Sequence, residues 1–258
     1  GGPGDPGGGP GGPGDPGGEF ESDIFISRGI AAEQTSSTLP AFGEFNFMAE
    51  VFGPAFSSAT LIKPDLSEET IDPQDPQFPL GEFGLERTYA NEGDLNTAYP
   101  EGNYSVRVVE NGITTTHGPI GVGGSTFPVI PGIINWEDAQ TIDPNNKFTL
   151  IWTPFSNAGD EAEIMVKIWN NSNQDNEMEW FLASDIERLE LSSSFLQPNS
   201  IYSGEVIFIN PAIFPTNSNG VFINSSYHAF TSFSFQTGDG CGGESSDSVG
   251  LSMQLSGA

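Results

Sequence analysis

Apolar positions in this chain recur at every second residue in short runs, and turn-forming residues cut the runs apart. Alternation at period two puts successive side chains on opposite faces of an extended strand, whereas an amphipathic helix repeats about every 3.6 residues, a pattern nearly absent here. The clusters of Gly, Pro, Asn and Asp between the runs complete the signature of an all-β protein. In the first half the strands are expected at 23–27 (DIFIS), 44–52 (EFNFMAEVF), 59–63, 83–89 and 103–109 (NYSVRVV). The acidic, proline-rich stretch 67–81 (SEETIDPQDPQFPLG) reads as a loop. In the second half the runs are 147–155 (KFTLIWTPF), 163–171 (EIMVKIWNN), EMEWFLAS, 195–210 (FLQPNSIYSGEVIFIN) and a closing strand at 228–237 (HAFTSFSFQT).

Glycine and proline concentrate at one end, where residues 1–18 read GGPGDPGGGPGGPGDPGG. A tract with almost no side chains buries no apolar surface to offset its ordering entropy. It is therefore either a semi-extended polyproline II spacer or a segment ordered by association with its copies. Gly1, Gly4 and Gly7 lead triplets; after a one-residue slip the leaders are Gly8, Gly11, Gly14 and Gly17, with prolines at 3, 6, 10, 13 and 16. Glycine in every third place suits a collagen-like triple helix, because only glycine fits its crowded axis. The slip, and the extra glycines at 2, 9, 12 and 18, speak for the spacer. The tract resembles the collagen-like segments of bacterial surface proteins, and that resemblance implies a three-stranded assembly of identical chains.

Past the tract the chain is long enough for two domains of about 110 residues each, placed at 19–126 and 127–237 and followed by a tail at 238–258. In the second, Trp152 stands in a W-T-P setting on an early strand, and Leu196, Pro198 and Tyr202 form an L-x-P-x-x-x-Y turn before a later one. This order resembles a fibronectin type III domain, which implies structural roles for Trp152, Pro198 and Tyr202, the tyrosine hydroxyl tying down a corner. Two features depart from that pattern: the loop NSNQDNE at 171–177 and an insertion, PAIFPTNSNGVFINSSY, at 211–227. The first domain resembles the same immunoglobulin-like class more loosely, through YPEGNYSVRVVENG at 99–112. The expected fold is thus all-β: two tandem immunoglobulin/fibronectin type III-like sandwiches preceded by a collagen-like segment. A fold of this kind does not carry a function with it.

Charge narrows the partners. With 35 acidic and 7 basic residues the chain has a net charge of −28, so nucleic acid and anionic membrane surfaces repel it. Low basic content with many Asn, Ser, Thr and Gly suits an extracellular or cell-surface protein in a salty medium. No apolar run approaches 20 residues, so no membrane insertion is expected, and without an initiator Met or signal peptide the chain reads as processed or excerpted. The single cysteine, Cys241, leaves no intrachain disulfide.

Candidate chemistry is sparse. The two histidines, His117 beside a Gly-Pro turn and His228 at a strand start, stand in no catalytic motif. The cluster Gly121-Val-Gly-Gly124 reads as a linker at a domain junction. Pairs such as Glu137/Asp138 and Glu177/Glu179 imitate a glycosidase dyad but are expected by chance in so acidic a chain. No catalytic residue and no enzyme activity are therefore expected. No cofactor is expected either; calcium is the candidate ion, through Asp72/Asp75, Asp138/Asp143, Asp175/Glu177 and Asp239/Glu244/Asp247, none of which has EF-hand spacing. Trp136, Trp169 and Trp180 are the candidates for a sugar-stacking face, although Trp169, in an alternating strand, reads first as core.

The tail holds one further strand. After a glycine-rich hinge at 238–247, Val249, Leu251, Met253 and Leu255 alternate strictly with Ser, Gly and Gln. Since the second domain already has a closing strand, this one needs an edge: in its own domain, in the first domain, or in the next subunit by strand donation. A head-to-tail donation does not close on itself and makes filaments. The function expected is a structural subunit of an extracellular filament, assembling through glycines 1, 4, 8, 11, 14 and 17 and through the donated strand. The alternative is a stalked adhesin or carbohydrate-binding module whose partners are surface glycans.

Overall fold

The computed structural model describes residues 22–53, 56–74, 81–218 and 220–239, with 173–176 and 214–218 described by backbone alone. The Gly/Pro tract, Cys241 and the alternating segment at 248–256 lie outside the described residues. Those described form β1 (Ser22–Gln34), β2 (Glu44–Phe52), β3 (Phe56–Ile62), β4 (Glu68–Pro73), β5 (Glu82–Tyr89), α1 (Glu92–Ala98), β6 (Gly102–Glu110), β7 (Ile113–Val122), α2 (Trp136–Ala139), β8 (Phe148–Ile151), β9 (Glu163–Asn170), β10 (Asn173–Ala183), β11 (Arg188–Leu191), β12 (Ile201–Ser218) and β13 (Val221–Gln236). The protein is all-β, and among the described residues no helix is long and apolar enough to cross a membrane.

The chain divides into two compact units. Of the described residues, unit 1 takes those up to Gly29, Phe45–Thr126 and Pro211–Tyr227; unit 2 takes Ile30–Glu44, Phe127–Asn210 and those from His228 onward. This division differs from the contiguous 19–126 and 127–237 expected from the sequence, agreeing with it only at the step from Thr126 to Phe127. The cause is strand length. At 13, 18 and 16 residues, β1, β12 and β13 are two to three times an ordinary strand of about 5–6 residues, so each contributes to both units. The supposed insertion at 211–227 is the part of β12 and β13 that belongs to unit 1.

In unit 1, β2 pairs antiparallel with β5 from Phe45↔Tyr89 to Phe52↔Glu82. Strand β3 lies between β4 and β6, and β6 pairs with β7. The β6–β7 hairpin turns through Asn111 (φ 50°) and Gly112 (φ 79°), an Asn-Gly pair whose positive φ values match the twist of a two-residue hairpin. Stretch 67–81 is not all loop. Glu68–Pro73 forms β4, which pairs with β3 and then, at Asp72↔Gly84 and Pro73↔Phe83, with β5. Its acids are held by bases from the surrounding chain: Arg107 of β6 donates to both oxygens of Glu68 (2.9 and 2.7 Å), and Glu69 lies 3.0 Å from both Lys63 and Arg87. His117 is not a turn residue but a buried member of β7, opposite Val106. Nor is 121–124 wholly a linker, since Gly121 and Val122 pair with Asn103 and Gly102.

The core of unit 1 contains Ile24, Ile26, Leu61, Leu85 and Val106, with Phe47 stacked on Tyr99 (centroids 4.0 Å, planes 9° apart). Buried beside this apolar set is Arg28, with 1% of its side chain exposed. Its guanidinium donates to Tyr227 Oη (3.2 Å) and to Asn96 Oδ1, and lies 3.4 Å from Glu101 Oε1. Tyr227 in turn donates to the same Glu101 oxygen at 2.6 Å. Burial first, then that carboxylate, pushes the Tyr227 hydroxyl up to about 12.

Unit 2 is a β-sandwich. One layer is the antiparallel pair β8 and β11, in register from Ile151↔Arg188 to Phe148↔Leu191, which a bridge from Trp152 to Ile133 extends. The other places β9 between β10 and β12, with β13 and then β1 beyond β12. Between them lies a core of Leu150, Trp152, Ile164, Val166, Ile168, Leu191, Val206, Phe208, Phe233 and Phe235. Gly204 is required here, because a Cβ on it would stand 2.7 Å from the Phe233 ring.

Candidate functional site

Trp152 is fully buried in unit 2, and its indole N–H donates to the Ile186 carbonyl at 3.0 Å. Tyr202 opens β12. Its hydroxyl donates to the Phe195 carbonyl (3.1 Å) and accepts from the Gln197 amide (2.7 Å), so one side chain closes the loop between β11 and β12. Pro198 is exposed within that loop, and its carbonyl accepts from Ser200 Oγ (3.1 Å). The assembly residues expected at Gly1, Gly4, Gly8, Gly11, Gly14, Gly17, Val249, Leu251, Met253 and Leu255 lie outside the described residues.

The three tryptophans have three different environments. Trp136 is buried in α2, and Trp180 packs half-buried against the core, edge-on to Phe195 (6.3 Å, 87°). Trp169 is not in the core. The core phase of β9 is Ile164, Val166 and Ile168, which leaves Met165, Lys167 and Trp169 on the outer face of the sheet. There Trp169 lies with Lys167, Glu177 and Glu205 around one open depression. Lys167 sits 2.8 Å from Glu179 and 3.8 Å from Glu177. Burial alone would lower the Lys167 pKa, but the hydrogen bond to Glu179 and the charges of Glu179, Glu177 and Glu205 outweigh it and raise it. Burial pushes Glu205 up against the pull of Lys167. A flat ring beside hydrogen-bonding side chains can stack a sugar face and accept its hydroxyls. The pair Glu177/Glu179 is drawn to one ammonium rather than set across a gap for hydrolysis.

A second concavity, of about 490 Å³, runs along β10 and β11. Leu191, Phe195, Trp180 and Tyr202 supply its apolar part; Glu177, Glu190, Ser192, Ser194 and Gln197 supply polar atoms. Met178, 42% exposed, also lines it. Neither Met178 nor Lys167 stood out in the sequence. The signal for Lys167 was present, since a charge two residues from Trp169 puts that phase of the strand toward water.

His228 lies within β13 and is buried, which drops its pKa to about 4. Burial also lowers His117. Among the described residues no three His, Cys, Asp or Glu side chains are grouped to hold a metal ion. Of the calcium candidates, Asp143 caps its own turn, accepting from the Asn145 amide (2.9 Å) and from Asn146 Nδ2 (2.7 Å). Asp75, Glu244 and Asp247 lie outside the described residues.

No family model and no curated protein matches the chain. Among solved structures, the crystal structure of the FN1-FN3 domains of chicken CNTN1 is similar at 14% identity and a TM-score of 0.27, over 74% of this chain and 62% of that one. At that level the likeness carries no argument about activity or partners.

Proposed function

We propose that this chain is a non-catalytic structural subunit of an extracellular filament or surface fibre, joined through its collagen-like head and a donated C-terminal strand. The observation that carries the reading is that β13, the last strand of unit 2, has neighbours on both flanks before the tail begins. Strand β13 ends at Gln236, where Thr237 forms a parallel bridge with Ile142 and Gly238 N donates to the Ile142 carbonyl (2.8 Å). The other flank of β13 has β1. A strand pattern at 248–256 therefore has no place beside β13 and is suited to another open edge, in its own chain or in a neighbouring copy. Electron microscopy of the purified chain tests this. Repeating fibres that vanish on deletion of 248–258 are expected; discrete particles from the full chain, or fibres from the deletion variant, overturn it.

One observation favours the second reading, a glycan-binding module: Trp169 faces outward among polar side chains. Under that reading Trp169→Ala abolishes retention on a glycan array. Under the first it leaves fibre formation unchanged.

A further inference from the structure

We infer that the cleft along β10 and β11 is the resting seat of the chain's own segment Ser248–Ser256, so that the subunit is self-capped and assembles by exchanging this strand between copies. The inference rests on the proposed reading for its consequence, assembly; the seat itself is argued from geometry. Strands β10 and β11 each stand last in the strand order of their layers, so the cleft runs beside two sheet edges. An edge offers a row of backbone donors and acceptors, and folded proteins cover such edges or blunt them with charge. On β10 the charges Glu177 and Glu179 are both drawn to Lys167, while Met178, in the phase of Ile168, stays 42% exposed. Met178 and Trp180 line the cleft, with Leu191 and Phe195 opposite. A strand bearing apolar side chains at period two and laid beside β10 would extend this apolar surface.

The place where the described chain ends selects the occupant. Gly238 accepts from the Asn199 amide (2.8 Å), and Thr237 Oγ1 is bonded to the carbonyl of Gln197, a cleft-lining residue. The described chain thus ends beside Gln197, one of the residues that line the cleft. Residues 240–247 can span up to about 27 Å, and the nine-residue run 248–256 extends about 30 Å, against the 11 residues of β10. Charge agrees with this. Glu177 and Glu190 rim the cleft in a chain of net charge −28, and residues 248–258 contain no charged side chain. Tethering of this kind gives an effective concentration near the millimolar range, so exchange between copies begins only when subunits are crowded.

Cysteine pairs test the seat. In a Cys241→Ser background, Met178→Cys is combined in turn with Val249→Cys, Leu251→Cys, Met253→Cys or Leu255→Cys, and oxidised at low micromolar concentration. At least one pair should close within a single chain, seen as a faster-migrating monomer that reduction reverses. Crosslinks only between chains would assign the cleft to a second copy and overturn the inference, as would no crosslink in protein that tryptophan fluorescence shows to be folded. Hydrogen exchange needs no variant in the cleft. Deleting 248–258 should speed exchange of the Met178–Ala183 amides at least tenfold, and unchanged protection overturns the seat. Fibres that survive the deletion would instead defeat the strand-donation reading, while an intrachain crosslink would still stand.

Discussion

The two units solve the same problem, the closing of a β-sandwich-like core, with different chemistry. Unit 2 is built around an apolar centre in which Trp152 is fully buried, Phe155 stacks on Phe208 (4.5 Å) and Tyr202 on Phe235 (5.0 Å). Unit 1 instead places charge inside, with Arg28 buried and Glu69 shared by Lys63, Arg87 and Tyr99. Of the seven basic residues in the chain, four pair with acids of unit 1, with Arg28 buried and Arg87 and Arg107 near the surface. In so acidic a protein, a base used internally cannot also hold an external anion. Unit 2 also pairs Lys147 and Lys167 with its own acids, but at its surface and on the outer face of its sheet, so the difference between the units lies in the burial of Arg28.

The largest effect should come from unit 2. Trp152→Ala should cost about 3–5 kcal/mol, the usual loss for a large aromatic truncated in a packed core. All four tryptophans lie in unit 2, so the fluorescence melt of this variant reads that unit alone. A loss below about 1 kcal/mol would mean that the core closes around the gap, and that the apolar unit is the more plastic of the two.

Unit 1 should respond in an order that runs against intuition. Glu101→Ala leaves the buried Arg28 guanidinium with weaker compensation and should cost about 3 kcal/mol. Arg28→Met removes the charge itself and leaves Glu101, half exposed, free to meet water, so it should cost under about 1.5 kcal/mol. Hydrogen-exchange stability of the β6 amides measures both. If Arg28→Met is the more damaging, the ion cluster is a net source of stability and not a tolerated burden.

How far the sequence was legible follows the same divide. Strand β2 is read at 44–52 and found at Glu44–Phe52, because its apolar alternation meets an apolar core. Strand β4 was invisible, since Ser-Glu-Glu-Thr reads as loop unless Arg107, Lys63 and Arg87 are known to stand opposite. Arg28, inside the run DIFISRGI, was a charge at a buried position that only tertiary partners explain. In the candidate site, alternation identified β9 but the phase was taken from Trp169 instead of Ile164, Val166 and Ile168. The contiguous domain boundaries failed for a similar reason: period two tells where a strand runs, not which core each part of it joins.

Acid should separate the units through their histidines. Folding depresses His228 from 6.5 to about 4, so its contribution is complete above pH 6.5 and is lost progressively as pH falls from 6.5 to 4. Comparing melts at pH 7 and pH 4.5, wild type should lose about 2–3 kcal/mol more than His228→Asn. His117 in unit 1 is lowered by burial in the same sense, partly offset by Glu110, so His117→Asn should change the slope less. Equal slopes for wild type and His228→Asn would show that the buried imidazole does not stay neutral.

The smallest effects should come from the feature the units share. Each holds a loop to its own backbone with a tyrosine: Tyr104 donates to the Pro100 carbonyl (2.6 Å), and Tyr202 donates to Phe195 while accepting from Gln197. Tyr202→Phe leaves a carbonyl and an amide to find new partners and should cost about 1–2 kcal/mol; Tyr104→Phe leaves one carbonyl and should cost about 1 kcal/mol. Tryptophan fluorescence follows the first and hydrogen exchange of β6 the second. Should Tyr104→Phe prove the costlier, the difference would have to come from the ring stack beneath it, where Phe47 lies between Tyr99 and Tyr104 (4.0 and 5.6 Å), and the corner bond would be incidental to unit 1.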